Sequence, residues 1–250
     1  MNLSVGIDVS IILPVRNGAK MLDTALSAIY AQKQVRFEVI VMDGNSSDDT
    51  AAVVQKWLRP EDVYHCSADV GIYDAINKGI ARAKGKWIYI QGADDGLAHA
   101  NVLADMIAAA KPESRLLFGD VEYKRSESHW VKKRHVSSFG WKLLFRNTLH
   151  QQSAVYHHEL FQSSVFDTRF KILADYAFHL KLYVSNNLDK GAVVKTHSVV
   201  ARCGADGVSK KFTKALYQEE WRVRKACLPV IFLLPTFPIA PIKYWMKGRR

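Results

Sequence analysis

F-E-V-I-V-M-D-G-N-S-S-D-D-T, residues 37–50, changes character at its midpoint. Phe37 to Met42 is a short apolar run of the kind that forms a strand, and Asp43 ends it. Asn45, Ser46 and Ser47 then supply turn residues, and Asp48 or Asp49 is placed to cap a helix starting near Thr50. The same alternation extends both ways from this point. Val9 to Val15 reads as a strand, and Leu22, Ala25, Leu26 and Ile29 follow at helical spacing. Downstream, Val63 to Cys66 is a third strand, and Ile72, Ala75, Ile76, Gly79, Ile80 and Ala83 form a helical stripe before the strand Trp87 to Gln91. A helix over about 102–110 leads into Leu116 to Gly119. Strands alternating with helices imply an α/β fold with a mostly parallel central sheet and helices on both faces.

Regular winding stops there. Glu122 to Arg134 is polar and basic, an exposed hairpin or loop; beyond it a helix is expected over Ala174–Val184, a strand over Ala192–Ala201 and a basic helix over Lys211–Ala226. At 250 residues with 48% apolar side chains, the chain can bury a full core. One domain with a C-terminal extension is the simplest division. Cys66, Cys203 and Cys227 form no CxxC pair, so neither a disulfide framework nor a thiolate zinc site is indicated, and a reducing compartment fits. The N-terminus reads as lacking a signal peptide.

The net charge of +11 is uneven: residues 202–250 hold 11 Lys or Arg against 3 Asp or Glu. Nucleic acid is disfavoured as the partner, because the charge gathers beside an apolar tail rather than along an aromatic stripe. Leu228 to Ile242 is too short to span a bilayer, and Pro229, Pro235, Pro238 and Pro241 oppose a regular helix. Followed by Lys243, Tyr244, Trp245, Lys247, Arg249 and Arg250, it suits an anchor on an anionic membrane surface; packing on the domain or a partner is the alternative.

Four places can carry chemistry. Asp43 stands beyond a strand's carboxyl end, where open parallel sheets bind ligands. Asp94 and Asp95, in Q-G-A-D-D-G (91–96), are adjacent carboxylates whose repulsion a divalent cation would relieve, although a turn and cap would use them too. Asp175 begins an apolar helix, where it either compensates the helix dipole or serves as a general base. His150 and Gln151 are either satisfied core polar groups or site-lining ones. His157, His158 and His179 lack the carboxylate spacing of a zinc site. Neither GxGxxG nor GxxxxGK[ST] occurs, which disfavours a dinucleotide dehydrogenase and a P-loop ATPase.

The blocks V-S-I-I-L-P-V-R-N (9–17), residues 37–50, D-V-G-I-Y-D-A-I-N-K-G-I (69–80), G-K-W-I-Y-I-Q-G-A-D-D (85–95), H-Q (150–151) and A-D-Y (174–176) together resemble the family 2 glycosyltransferases with the GT-A fold. The likeness covers about residues 9–209 and is similar to bacterial capsule, exopolysaccharide and O-antigen enzymes. It implies a GT-A-type nucleotide-binding sandwich over 1–209, with 210–250 as a basic helix and membrane-associating extension. By the same resemblance, Pro14, Val15, Arg16, Asn17, Asp43, Asp69, Tyr73, Asn77, Lys78, Ala93 and Asp94 would contact the nucleotide sugar. Asp94 and Asp95 would hold Mn²⁺ or Mg²⁺, His150 and Gln151 would line the donor or acceptor site, and Asp175 would be the catalytic base. Arg16, Gly92 and Asp206 depart from the family pattern, and Q-E-E-W-R (218–222) has its Trp and Arg in the opposite order to the processive synthases.

These implications define an inverting transferase that moves a sugar from a nucleotide-diphosphate donor, with UDP favoured, to a hydroxyl of a polyprenyl-diphosphate-linked saccharide. It would work as a peripheral protein on the cytoplasmic face of the membrane. A nucleotidyltransferase of related fold and an inactive scaffold are the alternatives.

Overall fold

The computed structural model describes residues 6–123, 133–185, 188, 191–204 and 213–236. Four parallel strands form the first half: β1 (Val9–Val15), β2 (Phe37–Asp43), β3 (Val63–Cys66) and β4 (Trp87–Ile90), joined through α1 (Ala19–Tyr30), α2 (Thr50–Gln55) and α3 (Ile72–Ile80). Next come β5 (Gly96–Leu97), α4 (Val102–Ala108), β6 (Leu116–Tyr123), β7 (Lys133–His135), β8 (Ala154–His157) and α5 (Leu160–Ser163). The described chain ends with α6 (Ala174–Val184), β9 (Val193–Cys203), α7 (Lys214–Cys227) and α8 (Val230–Thr236).

The strand order is β3-β2-β1-β4-β8-β6-β9-β5, with β7 paired to β6. The parallel run expected from the sequence is β3-β2-β1-β4. The second half is mixed: β8 lies antiparallel to β4 and β6, whereas β9 runs parallel to β6. β5, β8 and α5 are not expected from the sequence because they are too short to show a period. The sequence also ends β6 at Gly119, four residues early, because Asp120 and Glu122 read as loop. The hairpin expected around 122–134 has its base in the pairing of Tyr123 with Lys133.

Both faces of β1, β2 and β4 are buried, so these strands are mostly apolar rather than alternating with polar residues, and the buried pair Ser10 and Glu38 satisfies itself by a 2.6 Å hydrogen bond. The period of two survives in which core each side chain joins. Ile12, Ile40, Met42, Ile88 and Ile90 pack toward α3 and α6. Ile11, Leu13, Val39, Val41, Trp87 and Tyr89 pack toward α1 and α4. Pro14 is tolerated in a central strand because β4 stops pairing with β1 at Ile12–Ile90, before the missing N–H would be needed.

Helix α6 is apolar on most sides, since it is sandwiched between the sheet and α7. Helix α7 looks polar yet buries Leu216, Tyr217 and Val223, and with them Glu219, Glu220 and Arg224. Thr213 caps it by accepting the Leu216 N–H. Asp49 was one of two expected caps for α2, but its side chain makes no such bond; Asp48 accepts the Thr50 N–H instead.

The prolines of the tail do not abolish helix at its start. Pro229 immediately precedes α8, a position where a missing N–H is harmless. Val230 and Ile231 are 76% and 74% exposed, and Leu233 turns back to the core. Lys243, Tyr244, Trp245, Lys247, Arg249 and Arg250 lie outside the described residues, as does Asp206. No helix among the described residues is long and apolar enough to cross a membrane.

Candidate active site

The carboxyl ends of β1 to β4 share one sheet edge, which places the loops starting at Arg16, Gly44, Ser67 and Gln91 side by side. Hydrogen bonds fasten the first two loops together. Asn17 donates its N–H to Ser46 Oγ at 2.8 Å, and its Oδ1 accepts the Ser47 N–H at 2.8 Å. Asn17 adopts φ 51°, a left-handed conformation that asparagine accepts more readily than most residues. Pro14 and Val15 are buried in the sheet, so at this edge Arg16 and Asn17 are the exposed members of the four-residue block.

Asp43 is buried, with Oδ1 accepting the Ser46 N–H at 2.8 Å and Oδ2 accepting the Tyr64 hydroxyl at 2.7 Å. Asp69 lies alongside. A Cβ added to Gly44 would fall 2.4 Å from Asp69 Oδ2 and 3.5 Å from Arg16 Cβ, so the missing side chain lets three loops converge. Asp69 also accepts the Gly71 N–H at 2.9 Å through Oδ1.

The acidic turn after β4 divides its two carboxylates between tasks. Asp95 is buried: Gln152 Nε2 donates to its Oδ2 at 2.6 Å and the Gly204 N–H to its Oδ1 at 3.0 Å. Asp94 is exposed. A Cβ on Gly92 would lie 3.1 Å from Asp94 Oδ1, and one on Gly204 would lie 3.0 Å from its Oδ2, so both flanks of this carboxylate are kept clear. Ala93 sits next to Gly18, which sets the acidic turn against the Arg16–Asn17 loop.

A cleft of about 600 Å³ opens beside this edge, lined among others by Tyr73, Tyr123, His150, Gln151, Gln152 and Asp175. Asp175, in the first turn of α6, accepts the Tyr73 hydroxyl at 3.1 Å and Asn147 Nδ2 at 3.0 Å. Burial raises its pKa above the usual carboxylate range, and the hydrogen bonds from the Tyr176 N–H, Asn147 and Tyr73 oppose that only in part. Tyr73 starts α3 just beyond the β3 end, so its bond brings Asp175 to the same sheet edge as Asp43 and Asp69. Gln152 joins the cleft to the acidic turn.

His150 packs edge-on against Tyr123 and His135, with ring centroids 5.7 Å and 6.0 Å away. Gln151 Nε2 is buried with no hydrogen-bond partner among the described residues. Outside the cleft lining, His179 is buried against the Tyr156 hydroxyl at 2.7 Å, and burial takes its pKa down to about 3.

Two expected ligand contacts have other uses in the structure. Asn77 is a strut: its amide donates to the Phe166 carbonyl at 2.8 Å and accepts the Phe166 N–H at 3.0 Å. Lys78 is held by Asp74 at 2.8 Å and by the Ala68 carbonyl at 3.0 Å. Asn147, Gln152 and Glu219 were missed, because isolated polar residues in segments without a strong period give no signal.

The glycosyl transferase family 2 model matches residues 10–177, from β1 through the first turn of α6. A PGL/p-HBAD biosynthesis glycosyltransferase of Mycobacterium tuberculosis is 31% identical over 219 residues, covering 83% of each chain. The chain therefore belongs to glycosyl transferase family 2 and is a glycosyltransferase. Among solved structures, S. aureus TarS 1–349 in complex with UDP-GlcNAc superimposes with TM-score 0.68 at 18% identity, over 87% of this chain and 65% of that one. The mannosyltransferase PcManGT from Pyrobaculum calidifontis, in complex with GDP-Man and Mn²⁺, gives 0.64 at 18% identity, over 96% and 70%. The chain spans 39% of a longer TarS structure. These likenesses identify the fold as GT-A.

Proposed function

We propose that the protein is an inverting transferase that takes a sugar from a nucleotide diphosphate, with a UDP-sugar favoured, and delivers it to an acceptor hydroxyl in the cleft. The observation that carries this reading is the partly open Asp175 carboxylate, held by Tyr73 and Asn147 and raised in basicity by burial. In the proposed mechanism Asp175 takes the proton of the acceptor hydroxyl as that oxygen attacks the anomeric carbon, and the nucleoside diphosphate leaves from the opposite face. A single displacement inverts the centre. Asp43, Asp69, Arg16 and Asn17 frame the nucleotide at the sheet edge, while His150 and Gln151, whose Nε2 has no partner among the described residues, face the sugar or acceptor.

The residues present fit a divalent cation. Asp94 offers both oxygens on clear flanks, whereas Asp95, expected to share the metal, is committed to orienting the turn. No group of three or more His, Cys, Asp or Glu able to hold a metal occurs among the described residues, so the diphosphate itself would have to complete the shell around Asp94. Bound there, Mn²⁺ or Mg²⁺ would neutralise charge on the leaving diphosphate.

The exposed apolar turn at Val230 and Ile231, leading into the basic tail, supports a peripheral position on an anionic membrane. A polyprenyl-diphosphate-linked saccharide in surface polysaccharide synthesis follows as acceptor, since enzyme and lipid would share one plane. Of the extension expected over 210–250, α7 packs its buried face into the core, and the proposed membrane-associating part is the tail that follows.

Donor calorimetry with Mn²⁺ and turnover with a panel of nucleotide sugars test the assignment. Asp94→Asn loses metal-supported donor binding; Asp175→Asn keeps donor binding and loses turnover. Equal loss of donor affinity in both variants would overturn the division of roles, and wild-type protein inert toward every donor would indicate a scaffold.

A further inference from the structure

We propose that Glu219, on α7 and beyond the segment matched by the family, is a positioning residue that holds Asp175 in place by gripping the backbone leading into α6. This rests on the assignment of Asp175 as the base. The Glu219 carboxylate is buried and accepts three successive N–H groups, from Lys171 at 3.1 Å, Ile172 at 2.6 Å and Leu173 at 2.8 Å. Donors at a helix entrance have no partner within the helix, and a buried carboxylate that collects three of them holds that backbone with charge-assisted bonds.

The gripped segment is also bound from the other side. The Ile172 carbonyl accepts the Tyr73 hydroxyl at 3.0 Å, the same hydroxyl that reaches Asp175 Oδ1 at 3.1 Å. Lys171 Nζ donates to the Val70 carbonyl at 2.7 Å, next to Asp69. Residues 171–173 thus form a bridge between α7 and the loop after β3, with Asp175 two residues further on. Displacing the bridge moves both the base and the hydroxyl that orients it.

Burial is the main reason the Tyr73 pKa is raised, and the Asp175 and Glu219 carboxylates add to it, so both charges bear on the hydroxyl that orients the base. The titratable and charged groups that share the cleft with Asp175 are Tyr73 from α3, Tyr123 from β6, His135 from β7, Arg146 and His150 from the segment between β7 and β8, Tyr176 from α6 and Tyr217 from α7, and Tyr156 from β8 also feels its charge. Glu220 on α7 is paired with Arg224. Glu219→Gln keeps the shape of the side chain but removes its charge, which makes Asp175 easier to ionise.

The test compares the full chain with Glu219→Gln, Glu219→Ala and Asp175→Asn, measuring kcat against pH, donor affinity and melting temperature. In Glu219→Gln, kcat falls about tenfold with donor affinity unchanged, because a small displacement of the base slows the chemical step alone. The acidic limb of its kcat profile moves to lower pH. Glu219→Ala loses more kcat; if it fails to fold, the Gln variant carries the test. Wild-type kcat and an unmoved acidic limb in Glu219→Gln, with only a lower melting temperature, overturn the inference. Turnover by Asp175→Asn overturns the base assignment instead, so the two failures are distinct.

Discussion

Gln152 Nε2 donates to Asp95 Oδ2 at 2.6 Å, joining residues 57 apart in sequence and linking the wall of the cleft to the acidic turn at the sheet edge. Asp95 is buried, and this donor and the Gly204 N–H are among the groups that hold its carboxylate. An adjacent exposed Asp94 is thereby aimed by a neighbour that is itself fixed.

Gln152→Leu removes that donor from a buried carboxylate, at a cost of about 1–3 kcal/mol. Chemical denaturation should show a loss of that size, accompanied by weaker Mn²⁺-dependent donor binding as Asp94 loses its orientation. Unchanged donor affinity would separate the turn from the nucleotide site.

Asp175→Asn should trade activity for stability in a pH-dependent way. Burial raises the folded-state pKa of Asp175 above its unfolded value, so its contribution to stability is present below the unfolded pKa and is lost as pH rises through the folded one. Asparagine does not titrate. The melting temperature of the variant relative to wild type should therefore climb from about pH 4 toward neutrality and then level off. Asn147 Oδ1 has no partner among the described residues, so rotating that amide by a half-turn would satisfy the new asparagine. A difference independent of pH would show that Asp175 ionises normally.

Gly44→Ala places a methyl against Asp69 Oδ2, and the contact is relieved by turning or displacing the Asp69 carboxylate. Donor affinity should fall, while kcat at saturating donor stays near wild type because Asp175 and Tyr73 are untouched. Calorimetry and steady-state kinetics decide this; a loss confined to kcat would contradict the assignment of this edge to the nucleotide.

The membrane reading is tested by vesicle co-sedimentation with anionic and neutral lipid at low and high salt. The cut must follow Thr236, because Leu228 and Leu233 pack into the core. The full chain should sediment with anionic vesicles at low salt. A chain ending at Thr236 should bind more weakly, and adding Val230→Ser and Ile231→Ser should abolish the remainder, since each basic residue near such a surface contributes about 1 kcal/mol and apolar burial supplies the rest. A full chain that stays in the supernatant at low salt would remove the support for a lipid-linked acceptor.

Much of the fold is visible along the chain because its determinants are local. Burial of β1, β2 and β4 on both faces demands mostly apolar runs, and the stripe over residues 72–83 follows from one helix face meeting the sheet. Asp43 could be recognised by position alone, since the end of a parallel strand is where ligands gather. The second half was harder to read: β8 has four residues, β5 has two, and the polar Asp120 and Glu122 lie inside β6. Such elements exist because neighbouring strands complete their hydrogen bonds, and that information is not held in their own composition.

What the sequence by itself determined was the set of strand-end acids and the βαβ order that carries them to one edge, because both follow from periodicity and chain direction. What only the tertiary structure decided was the work of each polar side chain. Asn77 was drawn into bracing Phe166 and Asp95 into orienting a turn, while Tyr73, Asn147 and Glu219 came together around Asp175 from positions 102, 28 and 44 residues away. A buried polar atom must find a partner wherever the fold supplies one, and that choice is made by packing in three dimensions rather than by spacing along the chain.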